Sequence, residues 1–408
     1  MSRQKPPADP PPAMHLTIPR DKLEPALKLA LGSADPKSEI EAYASLMLTA
    51  LPASERSTGA TGHLEVAATD GDAMMRMTVA AEVAAGGSVV VDAKTLRAAV
   101  KTLPEHGFVT LAAADDGARL VVTCDRARFR LEAIPPDDFP LIAISNIKSV
   151  IALPGTELAR ALALCTPAIG DGADGRTWLA GVFIHEDAAG GLSFVATDGH
   201  SLVRVALPRP DDFEGIGNGG VILPFRALKP IGTMAAAVAG EKVEIDLSDT
   251  LARFRAGPVA YTTKLIDGTF PDYTRVIPPA RGHTRTLQVE AGALLVAIAR
   301  ARVVVEDKAR AVRLSIDDEG VAVSARGTHG EASDTVEAAL DGDPLVVGCN
   351  GTLLSDLVAL VPASAEASIG LVDAMSPLTI TAEAMPGVTM ILMPMRIDAP
   401  AAAEGEAS

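Results

Sequence analysis

Val66-Ala67-Ala68-Thr69-Asp70-Gly71 recurs 128 residues later as Phe194-Val195-Ala196-Thr197-Asp198-Gly199. Both copies end in Ala-Thr-Asp-Gly, and a short apolar and basic segment follows each of them. Two strand-like runs on either side of an Asp-Gly pair are typical of antiparallel strands joined by a tight turn. The repeated string therefore predicts the same hairpin in two places, and Val323-Ser324-Ala325-Arg326-Gly327 fits a degenerate third copy.

Two further landmarks recur around these hairpins. A strand that leads into an amphipathic helix is predicted at residues 18–23, 153–158 and 289–294. A second strand-to-helix step is predicted at residues 89–92, 221–224 and 345–348, with helices from about Ala93, Phe225 and Asn350. Asp92 and Asn350 are of the residue types that cap helix N-termini. Landmarks that return in one order predict an internal triplication, with two helices and about eight short strands in each third.

The triplication sets the fold class and the domain bounds. We predict an α+β fold of three repeated domains, in each of which two helices pack on antiparallel sheets. The domains are predicted at residues 14–147, 148–280 and 281–397, because the segments between them are polar or contain proline. Residues 1–13, with five prolines, and the Ala- and Glu-rich residues 398–408 are predicted to be disordered.

The composition of the 408-residue chain limits its function. A formal net charge of −16 opposes a purely electrostatic nucleic-acid binder, but it allows one whose basic and acidic residues face opposite ways. Cys124, Cys165 and Cys349 are far apart, and no Cys/His cluster has metal-ligand spacing, so we predict no metal and no cofactor. Scattered cysteines fit a reducing cytoplasm, and the chain shows neither a membrane-spanning apolar run nor a secretion signal.

An enzymatic function has little support in the sequence. Asp198 and His200, with Asp70, offer an acid–base pair. Asp-Gly-His is common in turns, however, and no nucleophile elbow, phosphate-binding glycine loop or carboxylate pair accompanies it. The sequence therefore predicts a protein that is not an enzyme.

Basic residues recur on the predicted helices. They are Lys22, Lys28, Lys94, Arg97, Lys101, Arg160, Arg226, Lys229, Arg300 and Arg302. Two interpretations stay open: ordinary solvated helix faces, or one basic surface that the equivalent helices of the three domains share. Such a surface would contact phosphates and bind duplex DNA without reading its sequence. The aromatic content of 3% opposes stacking on single strands.

Three strings resemble the bacterial DNA polymerase III beta subunit family, the sliding clamps. They are Ala196-Thr197-Asp198-Gly199-His200, Gly268-Thr269-Phe270-Pro271-Asp272-Tyr273-Thr274-Arg275-Val276-Ile277-Pro278 and Met393-Pro394-Met395-Arg396-Ile397. The resemblance implies a processivity factor in DNA replication, half of a six-domain ring that a head-to-tail homodimer closes around double-stranded DNA. The implied partners are DNA polymerase III, other polymerases, the clamp loader and repair proteins with short clamp-binding peptides.

The resemblance also implies two sets of site residues. The peptide pocket, between the second and third domains, would be lined by Arg176, Trp178, Leu179, Thr197, Gly199, His200, Leu202, Pro271, Arg275, Val276, Ile391, Met393, Pro394, Met395 and Arg396. The dimer interface would join Phe129 and Leu131 of one copy to Val303 and Val304 of the other. The residues alone leave simpler roles open, which are a tight turn for residues 197–199 and ordinary core for the four apolar residues.

Three departures from the family pattern are typical of a divergent or second-copy clamp. Ser201 stands where a basic residue is common, residues 177–181 lack the usual tyrosines, and residues 37–44 carry Glu39 and Glu41 in place of a Pro-rich basic segment. The alternative function is therefore a clamp-like paralogue that binds partners without stable encirclement of DNA.

Overall fold

The computed structural model of the protein describes residues 14–53, 62–211, 213, 215–238, 240–279, 282–305, 311–328 and 330–397. The predicted disordered segments, 1–13 and 398–408, lie outside the described residues. The helices among the described residues are α1 (Arg20–Leu31), α2 (Ala93–Lys101), α3 (Gly155–Cys165), α4 (Phe225–Ala237), α5 (Ala291–Arg302) and α6 (Gly351–Val358). None of the described helices is both long and apolar enough to cross a membrane.

The described strands fall into three groups along the chain. The first group is β1 (His15–Pro19), β2 (Ser45–Leu51), β3 (His63–Thr69), β4 (Ala73–Ala80), β5 (Glu82–Ala85), β6 (Gly87–Asp92), β7 (Phe108–Ala114), β8 (Arg119–Cys124) and β9 (Ala127–Ile134). The second is β10 (Ser149–Pro154), β11 (Gly181–Glu186), β12 (Leu192–Thr197), β13 (Ser201–Leu207), β14 (Val221–Pro224), β15 (Lys242–Leu247), β16 (Leu251–Ala256) and β17 (Val259–Lys264). The third is β18 (Arg285–Glu290), β19 (Ala311–Asp317), β20 (Gly320–Gly327), β21 (Gly330–Val336), β22 (Ala338–Asp341), β23 (Leu345–Asn350), β24 (Glu366–Leu371), β25 (Leu378–Thr381) and β26 (Val388–Leu392).

The order of these elements repeats three times. In the first and third groups, one strand leads into a helix, five strands follow, and a second helix precedes the last three strands. The second group keeps this order with four strands between its helices, among the residues that the structure describes. The α+β class and the three repeated domains are therefore confirmed, whereas the bounds of the domains stay predictions.

Backbone contacts divide the chain into two compact units that do not coincide with the three repeats. The first unit holds the described residues of Met1–Ala159, Asp211–Glu214 and Arg226–Leu265, and the second holds those of Arg160–Pro210, Gly215–Phe225 and Ile266–Ser408. The first contains a 13-stranded sheet in the order β10-β15-β16-β17-β4-β3-β2-β6-β9-β8-β7-β1-β5. The second contains a nine-stranded sheet, β14-β11-β12-β13-β26-β25-β24-β18-β22, and a four-stranded sheet, β21-β20-β19-β23. Strands of the second repeat therefore belong to both units.

One strand pairing in each unit joins neighbouring repeats. In the first unit β17 pairs antiparallel with β4, from Val259 opposite Met77 to Thr263 opposite Ala73. In the second unit β13 pairs antiparallel with β26, which sets Ile391 opposite Leu202. A second-repeat hairpin and the last described strand of the chain thus share one sheet, and the candidate site lies at this junction.

Local sequence explains where the helices begin and which face they bury. Helix α1 buries Leu23, Ala26, Leu27 and Ala30, a spacing that forms one apolar stripe on a helix. Helices α2 and α6 begin at the two predicted caps. The Asp92 carboxylate accepts a hydrogen bond from the Thr95 amide at 2.7 Å, and the Asn350 side chain accepts one from the Thr352 amide at 2.9 Å. These caps satisfy amide groups that otherwise lack a partner within the helix.

Candidate functional site

The repeated Thr-Asp-Gly string builds one kind of turn. The Thr197 hydroxyl donates to the Ser201 carbonyl at 2.6 Å, and the Asp198 carboxylate accepts from the amides of His200 at 2.8 Å and Ser201 at 2.6 Å. Gly199 has a φ of +91°, where a residue with a side chain would be strained. The first copy, residues 69–73, makes the corresponding bonds. The Asp198 carboxylate thus holds the turn together through backbone amides rather than through the His200 ring.

A cavity of about 310 Å³ opens beside the second-repeat turn. Four segments supply its walls: residues 176–179, the turn between β12 and β13, residues 271–276, and the end of β26. The lining residues are Arg176, Trp178, Leu179, Thr197, Gly199, His200, Ser201, Leu202, Pro271, Asp272, Tyr273, Val276, Ile391 and Met393. Apolar walls with a few polar groups at the rim suit a small ligand or the anchor side chains of a peptide.

The structure brings eleven of the fifteen predicted pocket residues to this cavity. The four that are not among its lining residues are Arg275, Pro394, Met395 and Arg396. The Arg275 side chain is 82% exposed and forms an ion pair with Asp272 at 2.9 Å. Beyond β26 the chain leaves the sheet, and the Met395 amide donates to the Gly348 carbonyl at 2.7 Å. That bond pairs Met395 with β23 in another sheet, which takes the end of the predicted string away from the cavity.

Three lining residues were not predicted, namely Ser201, Asp272 and Tyr273. Each lies within, or directly after, a string that carries the family resemblance, so their positions were already marked in the sequence. Tyr273 is only 8% exposed and belongs to an apolar cluster with Leu179, Leu202 and Ile391. Burial of this kind depends on long-range packing, which the string does not encode.

The corresponding turn of the first repeat is covered by an aromatic side chain. A methyl group built on Gly71 would lie 2.5 Å from the Tyr43 hydroxyl oxygen. At Gly199 the nearest atom to such a methyl group is an Arg176 guanidinium nitrogen at 3.4 Å. The two turns therefore have the same backbone but different surroundings, and Tyr43 occupies the space next to the first one.

Several of the predicted DNA-facing cations already have partners. Three are paired with carboxylates: Arg97 with Glu24 at 3.1 Å, Arg226 with Asp72 at 2.6 Å and Arg300 with Asp334 at 2.7 Å. Two donate to uncharged groups: Lys94 to the Pro36 carbonyl and Arg302 to the Thr352 hydroxyl. Lys22, Lys28, Lys101 and Lys229 are exposed, and Arg160 is half-buried. The helices thus present fewer uncompensated positive charges than a count of Lys and Arg suggests.

The predicted interface residues lie beside open strand edges. Phe129 and Leu131 on β9 are half-buried and pack against the apolar core of the first unit. Val303, directly after α5, is 82% exposed, and Val304 is half-buried. Within the described residues, the part of β9 before Ala133 pairs only with β8, and β21 pairs only with β20. Unpaired edges of this kind are templates for pairing with another chain.

The cysteines are buried away from reactive settings. Burial raises the pKa of the Cys349 thiol to about 12, and it raises the pKa of Cys165 as well. Thiols that stay protonated are poor nucleophiles and poor metal ligands. No group of three or more His, Cys, Asp or Glu side chains in the described part of the chain is arranged to hold a metal ion.

Comparisons with known proteins cover nearly the whole chain. Three family models match in order: DNA polymerase III beta subunit, N-terminal domain, at residues 14–143; central domain, at 152–272; and C-terminal domain, at 274–396. The beta sliding clamp of Caulobacter vibrioides NA1000 is 31% identical over 388 residues, 94% of this chain and all of that protein. The crystal structure of the Caulobacter crescentus clamp is 30% identical with a TM-score of 0.83, and that of the Bartonella birtlesii clamp bound to griselimycin is 28% identical with a TM-score of 0.84. Each structural match covers 94% of this chain and 100% of the other.

Proposed function

Because the chain belongs to the DNA polymerase III beta subunit family, the bacterial beta sliding clamps, we propose that it encircles duplex DNA as a ring and tethers DNA polymerase III for processive synthesis. It acts in the bacterial cytoplasm and supplies no catalytic step of its own. Its grip on DNA is topological, so it slides along the duplex without reading the sequence. The observation that carries this proposal is the threefold repeat of helix-bearing domains, which the three family models match in order between residues 14 and 396.

The cavity beside Gly199 is the proposed site for partner peptides. Its apolar walls would bury one or two anchor side chains, while Arg176, His200 and Asp272 at the rim would orient the peptide backbone. Met393 adds a flexible, polarisable side chain that adapts to different anchors. Polymerases, the clamp loader and repair proteins would then compete for one site on each chain.

Two copies of the chain would close the ring head to tail. The open edge of β9 in one copy and the open edge of β21 in the other supply backbone groups that can pair across the interface. Val303 belongs to neither of these strands, but its exposed side chain offers apolar surface that a second copy would cover. Phe129 and Leu131, which keep part of their surface exposed, would form the other side of the contact.

Retention on circular DNA tests the proposal. The protein, loaded on nicked circular plasmid with clamp loader and ATP, should stay with the plasmid during gel filtration at high salt. Cutting the plasmid once should release it, because a ring can slide off a free end. Retention that survives linearisation, or no retention on the intact circle, would contradict encirclement. The second outcome, together with intact peptide binding, would favour the clamp-like paralogue.

Replacing Asp72 with asparagine should strengthen DNA binding. Hydrogen bonds from Arg226, and then from Lys264, hold the pKa of Asp72 below its ordinary value, so this carboxylate is ionised at neutral pH and forms ion pairs with both cations. Without that charge, Arg226 can reach a phosphate. Each added phosphate contact steepens the dependence of log affinity on log salt by roughly 0.9.

Fluorescence anisotropy of a labelled duplex at several salt concentrations measures this slope. Asp115→Asn is the matched control, since it breaks an Asp–Arg pair with Arg119 in the same unit and involves no predicted DNA-facing residue. A slope for Asp72→Asn equal to that of the control would show that Arg226 does not face DNA.

A further inference from the structure

A partly buried hydrogen bond lies behind one wall of the cavity. The wall consists of residues 271–276, and Tyr273 is buried while the other five residues of this segment are exposed. The Tyr273 hydroxyl oxygen lies 2.8 Å from Nε2 of His185 on β11. Tyr273 thus attaches an otherwise exposed segment to the sheet through its hydrogen bond with His185.

The geometry around His185 assigns the direction of this bond. Its Nδ1 lies 2.7 Å from the Glu186 carbonyl oxygen, which can only accept. In the neutral ring, Nδ1 therefore carries the proton and Nε2 accepts the hydrogen of the Tyr273 hydroxyl. Burial raises the pKa of Tyr273, so its hydroxyl keeps that hydrogen at neutral pH.

The surroundings hold the His185 ring in this orientation. It stacks on Phe183 with ring centroids 4.8 Å apart, and Phe183 stacks on Phe270 at the same distance. The nearby positive charge of Arg204 lowers the pKa of Tyr273, against the larger opposite effect of burial. Arg204 itself donates hydrogen bonds to the Asp187 carboxylate at 3.1 Å and to the Ser193 hydroxyl at 3.2 Å. Because stacking on Phe183 and the bond to the Glu186 carbonyl both restrain the His185 ring, His185 can hold the Tyr273 side chain in place.

We propose that His185 is a positioning residue for the peptide site, which fixes the 271–276 wall by accepting the hydrogen bond of Tyr273. The inference rests on the proposed function of the cavity as a peptide site. A wall held in its binding conformation before the peptide arrives lowers the ordering cost of binding. Loss of the bond lets the wall move, so affinity falls although His185 itself need not touch the peptide.

A double-mutant cycle tests this role. His185→Phe keeps a stacking ring and removes the acceptor, Tyr273→Phe keeps the ring and removes the donor, and the double variant removes both. The probe is a fluorescein-labelled peptide with the clamp-binding segment of DNA polymerase III from the same organism. Each single variant should bind it about three- to tenfold more weakly, the range expected for one hydrogen bond. The double variant should bind no more weakly than the worse single variant.

Two further variants separate positioning from general stability. His185→Gln keeps an acceptor and should bind the peptide more tightly than His185→Phe. His283→Phe is the matched control, because His283 is another half-buried histidine of the same unit, bonded to the Thr379 hydroxyl at 3.0 Å and not among the cavity residues. It should lower the thermal unfolding midpoint about as much as His185→Phe does, with peptide affinity unchanged.

The outcomes distinguish the inference from the function on which it rests. Absence of peptide binding by the wild-type protein would sink the proposed function of the cavity. Wild-type binding together with unchanged affinity in the folded Tyr273→Phe and His185→Phe variants would overturn the positioning role. Losses that add fully in the double variant would overturn it as well, since the two side chains would then act independently.

Discussion

Glutamate in place of Val303 should convert the protein from a dimer into a monomer. Val303 follows α5 with 82% of its surface exposed, and the proposed second copy would cover it with Phe129 and Leu131. A carboxylate buried among apolar side chains without a cation costs several kcal/mol. Since about 1.4 kcal/mol corresponds to tenfold in a dissociation constant, the dimer should weaken by at least about a hundredfold. Sedimentation equilibrium at micromolar concentration measures the change.

A matched substitution makes this result specific. Val346 on β23 is also an exposed valine of the second unit, 38% exposed, and is not a predicted interface residue. Val346→Glu should leave the dimer intact and the protein retained on circular DNA, whereas Val303→Glu should lose both. A stable dimer of Val303→Glu would show that the copies meet elsewhere, and the ring arrangement would then have to be abandoned.

The elements that could be predicted from the sequence are those that local bonds determine. The Thr-Asp-Gly turn closes through bonds that span at most four residues, from Thr197 to Ser201, so the same string builds the same turn twice. The caps at Asp92 and Asn350 act over two or three residues. Short-range chemistry of this kind is readable without knowing the rest of the fold.

What could not be predicted depends on contacts between distant residues. Arg97 pairs with Glu24, which is 73 residues away, so a count of cations on the helices overestimates their free charge. Met395 was predicted to line the pocket, yet its amide pairs with Gly348 once the chain has left the sheet. Tyr273 was not predicted because its burial in an apolar cluster and its hydrogen bond to His185, 88 residues before it, both join distant parts of the chain. These choices follow from tertiary packing rather than from any local pattern.

Truncation of Met393 to alanine should reduce binding of the polymerase peptide by about ten- to a hundredfold. Met393 is 36% exposed at the mouth of the cavity, and its amide donates to the His200 carbonyl at 2.8 Å. Alanine keeps that backbone bond, so the turn and β26 stay paired and only the side chain is lost. Truncation of a side chain that contributes strongly to a binding interface typically costs about 2 kcal/mol, which gives this range. Anisotropy titration with the labelled peptide measures it.

A matched control separates the effect of losing Met393 from that of losing any exposed methionine. Met375 is another exposed methionine of the second unit, 59% exposed, and it is not among the cavity residues. Met375→Ala removes the same side chain from the surface, so it should bind the peptide as the wild type does. Equal affinities for Met393→Ala and the wild type would place the peptide elsewhere. Because the backbone bond to His200 survives the substitution, a loss of peptide affinity in Met393→Ala but not in Met375→Ala would measure the contribution of the Met393 side chain alone. One flexible thioether would then account for much of the affinity that different partners share.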